Sequence, residues 1–99
     1  MAKSILQKDK SYCAMCGRNG AQDPLDEHHV FGGAYRQRSE ADSLTIYLCH
    51  DRCHENGKRA VHRNAKIDRA IKKRAQQFAM KKFGWTVEEF RIYYGKNYL

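Results

Sequence analysis

The chain has 99 residues, with 19 Lys+Arg against 11 Asp+Glu and a formal net charge of +8. That length leaves room for one small domain, whose limited core is commonly pinned by a staple such as a structural metal. The charge favours a polyanionic partner, nucleic acid first, and no apolar run approaches the roughly 20 residues of a membrane span.

Residues 1–10, with Lys3, Lys8 and Lys10, read as a polar lead-in lacking the apolar stretch of a signal peptide. A cytoplasmic protein with reduced thiols is therefore expected, which favours metal thiolates over disulfides. Cys13-Ala14-Met15-Cys16-Gly17 has the spacing of a metal knuckle. Residues 18–26, containing Asn19-Gly20 and Pro24, are turn-rich. Residues 27–31 are predicted as a short strand, broken by Gly32-Gly33, and residues 34–43 lack any period and read as a basic loop. Leu44-Thr45-Ile46-Tyr47-Leu48 is the clearest strand and delivers the chain to Cys49.

Beyond His62 the pattern changes. Ile67, Ile71, Phe78, Ala79 and Phe83 recur at helical spacing, predicting a helix over 65–83. Lys72, Lys73, Arg74, Lys81 and Lys82 lie on its polar side as an additional candidate surface, while the apolar stripe reads as core. Gly84 is a C-cap, and Thr86-Val87-Glu88-Glu89 has the form of a capping box opening a shorter helix towards Tyr94. The tail 95–99 has no assigned place. The expected organisation is one α+β domain: lead-in 1–10, core 11–64 and helical extension 65–99.

All four cysteines and all five histidines fall within residues 13–62. Cys13, Cys16, Cys49 and Cys53 have the chemistry of a closed structural zinc site. The second pair has one residue more than the usual knuckle, and His50 is an alternative donor. Neutral imidazole binds a divalent ion or accepts a proton near neutral pH, so the histidines can supply ligands and a base together. His28 and His29 are adjacent, and a strand would send them to opposite faces with different jobs. His54 directly follows Cys53, and Glu55-Asn56-Gly57 is a turn able to fold His62 back.

The Cys-x-x-Cys pair, Glu27-His28-His29-Val30-Phe31-Gly32-Gly33, Leu48-Cys49 with Cys53-His54, Ala60-Val61-His62-Arg63-Asn64 and the closing Gly95-Lys96-Asn97-Tyr98-Leu99 together resemble the HNH endonucleases of the ββα-metal class. The likeness is to small zinc-bearing proteins of bacteriophages and prophages, from Tyr12 onward. It implies a ββα-metal unit pinned by zinc at the four cysteines and a metal-dependent DNA endonuclease of low sequence specificity, acting on duplex DNA in the bacterial cytoplasm. His29 matches the general base. His28 and His54 match ligands of a catalytic divalent ion, magnesium or another, with His62 a further ligand. Arg36, Arg38, Arg52, Lys58, Arg59 and Arg63 surround these motifs as candidate phosphate contacts. Two departures stand out: Ser43 falls where the family's middle Asn belongs, and the Cys49–Cys53 spacing is long. A zinc-stabilised nucleic-acid-binding module without catalysis is the alternative expectation.

Overall fold

The computed structural model describes residues 4–99. Two strands, β1 (Leu25–His29) and β2 (Thr45–Cys49), form an antiparallel pair in the register Leu25↔Cys49 to His29↔Thr45. Strand alternation puts Asp26 and His28 on one face of β1, and Glu27 and His29 on the other. β1 starts and stops earlier than residues 27–31 because pairing reaches back to Cys49. Val30 and Phe31 turn into the core instead, at 1% and 2% exposure. The lead-in is not free: Ile5 N–H donates to Ser43 O, and Gln7 Oε1 accepts from Tyr47 N–H. Residues 4–7 thus lie along β2, whereas Lys3 lies outside the described residues.

The expected basic loop is instead a 3-10 turn (Gly33–Tyr35) followed by α1 (Arg36–Ala41). It escapes a periodicity search because its single buried residue is a serine. Ser39 Oγ donates to Leu44 O at 2.7 Å and accepts from Phe31 N–H at 3.3 Å. After β2 comes one π-helical turn, His50–Glu55, where the ββα pattern would place a regular helix. Its wider i→i+5 winding brings positions four apart round to the same side, which suits the Cys49–Cys53 spacing.

The two C-terminal helices match expectation. In α2 (Ala65–Phe83), the Asn64 side chain caps the start by accepting from Ile67 N–H, and Gly84 ends it in the left-handed region at φ 70°. α3 (Val87–Tyr94) opens on the Thr86–Glu89 capping box. Only part of the predicted apolar stripe is core: Ala75, Gln76 and Ala79 are buried, whereas Phe78 and Phe83 remain about 40% exposed. Buried Gln76 is satisfied by the tail, donating to Asn97 Oδ1 at 2.9 Å and accepting from Tyr98 N–H at 2.7 Å. That interaction places residues the sequence left unassigned.

Phe31 is the hub of the aromatic core, with ring centroids of Tyr94, Tyr98 and Phe90 at 4.6, 5.5 and 5.6 Å. Tyr94 donates its hydroxyl to Asp42 at 2.6 Å, and Arg38 stacks on Tyr93 at 3.9 Å while pairing with Asp42 at 3.4 Å. These contacts fasten α1 to α3. No helix among the described residues is long and apolar enough to cross a membrane. Truncating the hub, Phe31→Ala, is expected to cost about 3–5 kcal/mol. Ile92→Ala, at a site 78% exposed, should stay within about 0.5 kcal/mol. Urea denaturation with zinc held constant compares the two.

Candidate metal centres and cleft

Three clusters of ligand-type side chains come together among the described residues, the third being Glu27, His29 and Glu40. In the first, the Sγ atoms of Cys13, Cys16, Cys49 and Cys53 all lie within 4.8 Å of one another. Cys13, Cys49 and Cys53 are buried, and the thiols are free rather than bridged. The first knuckle is shaped by its own backbone: Cys13 N–H donates to Arg18 O, and Met15 and Cys16 N–H both approach Cys13 Sγ at 3.4 Å. Ala14 N–H docks it on β2 at Tyr47 O. Cys16 Sγ and Cys49 Sγ are 3.5 Å apart, too far for a disulfide and near the roughly 3.8 Å that ligands of a tetrahedral zinc require.

Charge tells the same story. Burial, reinforced by the neighbouring sulfurs, pushes the Cys49 thiol up to about 12 and Cys53 upward as well. Burial opposes ionisation of Cys16 too, but the backbone and side chain of Arg18 hold it down at about 6. Such a cluster cannot ionise fully by itself, and a cation at its centre removes the conflict. Four closely grouped thiols fit a structural zinc. His50 takes no part in this cluster; its imidazole sits at the surface, 2.6 Å from Asp26.

The second cluster joins His28, His54 and His62, whose ring nitrogens also lie within 4.8 Å. His28 comes from β1 and His54 from the π turn. His62 is folded back by two backbone bonds, Val61 N–H to Cys53 O and His62 N–H to His54 O. Gly57 permits that reversal, since a Cβ there would strike the Arg52 carbonyl. His54 Nδ1 meets Asp26 Oδ2 at 2.9 Å, which directs its Nε2 to His62 Nε2 at 3.0 Å. Burial would raise the Asp26 carboxyl, but hydrogen bonds from His54 and His50 hold it below its ordinary range. Buried His28 Nε2 has no hydrogen-bond partner among the described residues. Burial first, then the nearby His54 and His62, depress His28 to about 3, so it is neutral at any physiological pH. An unpartnered nitrogen, a carboxylate-oriented imidazole and a close nitrogen pair are what three ligands of one ion require.

His29, on the opposite face of β1, has Nε2 at 3.2 Å from Glu40 Oε1 and 3.7 Å from Glu27 Oε1. Arg36 Nε approaches its Nδ1 at 3.5 Å. With Glu40 accepting from Nε2–H, Nδ1 keeps the lone pair, which accepts from Arg36 Nε–H. Both faces of the strand meet in one cleft of about 670 Å³, lined by Glu27, His28, His29, Arg36, His54 and His62. Arg63, Asp68 and Lys72 also line it.

Of the expected phosphate contacts, Arg36 and Arg63 are therefore in the cleft. Arg52, Lys58 and Arg59 gather with Arg18 beside the cysteine cluster, and Arg38 is engaged with Tyr93 and Asp42. Three participants were missed from sequence, Asp26, Glu40 and Asp68, while Lys72, expected on the polar side of the helix, lines the cleft. Asp26 had a signal, standing two residues before His28 on the same strand face. Glu40 had none, since it arrives on a helix read as loop. No family model, curated protein or solved structure matches the chain.

Reduced, purified protein is expected to carry about one tightly held zinc, whose removal unfolds the domain. Metal analysis finding none in folded protein would contradict the cysteine centre. For His28, the unfolded chain binds more protons than the folded one between its depressed value of about 3 and the ordinary 6.5. Stability is therefore retained above pH 6.5 and falls as pH drops below it, by up to about 1.4 kcal/mol per pH unit. Denaturation at stepped pH should give a steeper acid slope for the wild type than for His28→Gln.

Proposed function

We propose that the chain is an HNH-type, metal-dependent endonuclease that hydrolyses phosphodiester bonds of duplex DNA with little sequence preference. The observation carrying this reading is the meeting, in one cleft, of a three-imidazole donor set and a carboxylate-backed histidine on opposite faces of a single strand. The resemblance of the motifs to HNH proteins supports it, as does the +8 charge.

His28, His54 and His62 would hold the ion, and Asp26 would orient His54. When bound, a divalent ion supplies positive charge against the negative charge that develops on the scissile phosphate and its leaving oxygen. His29 Nδ1, released by Arg36 Nε as Arg36 turns to the phosphate, takes the proton of the attacking water, whose oxygen forms the new bond to phosphorus as the P–O3′ bond breaks. The leaving oxygen gains its proton from solvent, giving 5′-phosphate and 3′-hydroxyl ends. Glu40 and Glu27 hold the imidazole in the receptive tautomer, the service expected of the family's missing Asn. Arg36, Arg63 and Lys72 grip phosphate oxygens from the cleft walls, and the N-terminus of α2 adds its dipole. Three imidazoles suit zinc, nickel or another transition ion better than oxygen-seeking magnesium.

The second reading is a zinc-stabilised DNA-binding module without catalysis. Ser43 favours it: this residue replaces the Asn, holds a left-handed φ of 62° and makes no side-chain hydrogen bond among the described residues. Plasmid nicking with magnesium, manganese, nickel and zinc separates the two. Transition ions are expected to support nicking better than magnesium. His29→Ala should keep ion and DNA binding yet lose about 10²–10⁴-fold in rate, while His54→Ala loses the ion itself. Near wild-type nicking by His29→Ala would overturn the base assignment. A wild type that binds duplex but never nicks would establish the module.

A further inference from the structure

We propose that the outward face of α2 is a second DNA contact that tracks the phosphate backbone of the duplex flanking the cleft. This rests on the reading of the cleft as a DNA-phosphate site and names a surface that reading leaves unused. Lys66, Arg69, Lys73, Arg74 and Lys81 are all exposed, and the spacing 66, 69, 73 with 77 and 81 keeps one line along a helix. Ala70 and Gln77 fill the gaps on that line without adding a negative charge. The only acid of α2 is Asp68, a cleft-lining residue paired with Lys72 at 2.9 Å.

An ordinary solvated helix relieves such crowding with glutamates three or four residues away. Here Lys66 and Arg69 stand three apart and Arg69 and Lys73 four apart, like charge beside like. None of the five cations makes an ion pair with a carboxylate among the described residues. Their mutual repulsion is relieved by an extended anion laid along the helix.

Geometry says where that anion comes from. Ala65, Asp68 and Lys72 line the cleft, so the stripe begins at its mouth and leads away from it. From Lys66 to Lys81 the helix rises about 22 Å, the length of about six base pairs at 3.4 Å each. A duplex held at the cleft and leaving along α2 would meet the cations in succession. An isolated phosphate or short anion would use only one or two of them.

The test is the quadruple variant K66Q/R69Q/K73Q/K81Q, which alters exposed side chains and, inside the protein, loosens the contact of Arg69 over the Tyr98 ring at 5.8 Å; circular dichroism and zinc content check its fold. On a duplex of about 30 bp, its affinity should fall about 10- to 100-fold, and the slope of log K against log salt should drop by roughly 3–4. On a dinucleotide, too short to span cleft and stripe together, variant and wild type should differ by no more than about two-fold. Nicking at saturating plasmid should be unchanged, since no cleft residue is altered. An unchanged salt slope on the long duplex, or an equal loss on both lengths, would overturn the stripe. The stripe would stand if the wild type never nicked but the variant still lost affinity on the long duplex alone; only the nuclease reading would then fall.

Discussion

Four thiols brought to one point are the constraint on which the core of this protein depends. Burial opposes ionisation of Cys49 and Cys53, while Arg18 favours it at Cys16, so the cluster is electrostatically divided until a cation joins it. The segments it ties together are those that build the cleft. Cys13 and Cys16 bring the N-terminal knuckle against β2, Cys49 ends that strand, and Cys53 fixes the π turn. His54 is the next residue, so one peptide unit separates the cluster that holds the fold from the one that faces the cleft.

Carboxylates organise the chemistry on both sides of β1 in the same way. Asp26 engages His54 at Nδ1, and Glu40 with Glu27 faces His29 at Nε2. With Asp26 and Glu40 each accepting a ring proton, the opposite nitrogen keeps its lone pair directed elsewhere. On His54 that nitrogen meets His62; on His29 it faces Arg36. Two adjacent histidines are thereby given different surroundings by nothing more than strand alternation. They share a cleft because the chain bends inward at Val30 and Phe31, ending the strand just beyond them.

The same bend connects the site to the part of the fold that contributes no cysteine or three-histidine ligand. Phe31 plugs into Phe90, Tyr94 and Tyr98, and Tyr94 reaches Asp42 at the end of α1. α1 carries Glu40 and Arg36, so the aromatic core sets the position of the groups that surround His29. α2 serves three directions at once. Ala75 and Ala79 pack inward, Asp68 and Lys72 wall the cleft, and its remaining cations face solvent.

Much of this was legible in the residues alone, wherever the signal is local. The Cys-x-x-Cys knuckle, β2, the 65–83 helix with its Gly84 cap, the Thr86–Glu89 box and the division between His28 and His29 all follow from spacing and period. Even Asp26 was accessible, being two positions from His28 on a strand. What depended on tertiary structure were features whose cause lies elsewhere in the chain. α1 has no amphipathic stripe because only Ser39 is buried, through bonds to Phe31 and Leu44. Gln76 is buried because the tail satisfies it, while Phe78 and Phe83 stay half-exposed at apolar positions. Glu40 reaches His29 across eleven residues, and His62 reaches His54 through a reversal that requires Gly57. Period and spacing report which side of an element a residue occupies; which other element waits on that side is decided by long-range packing.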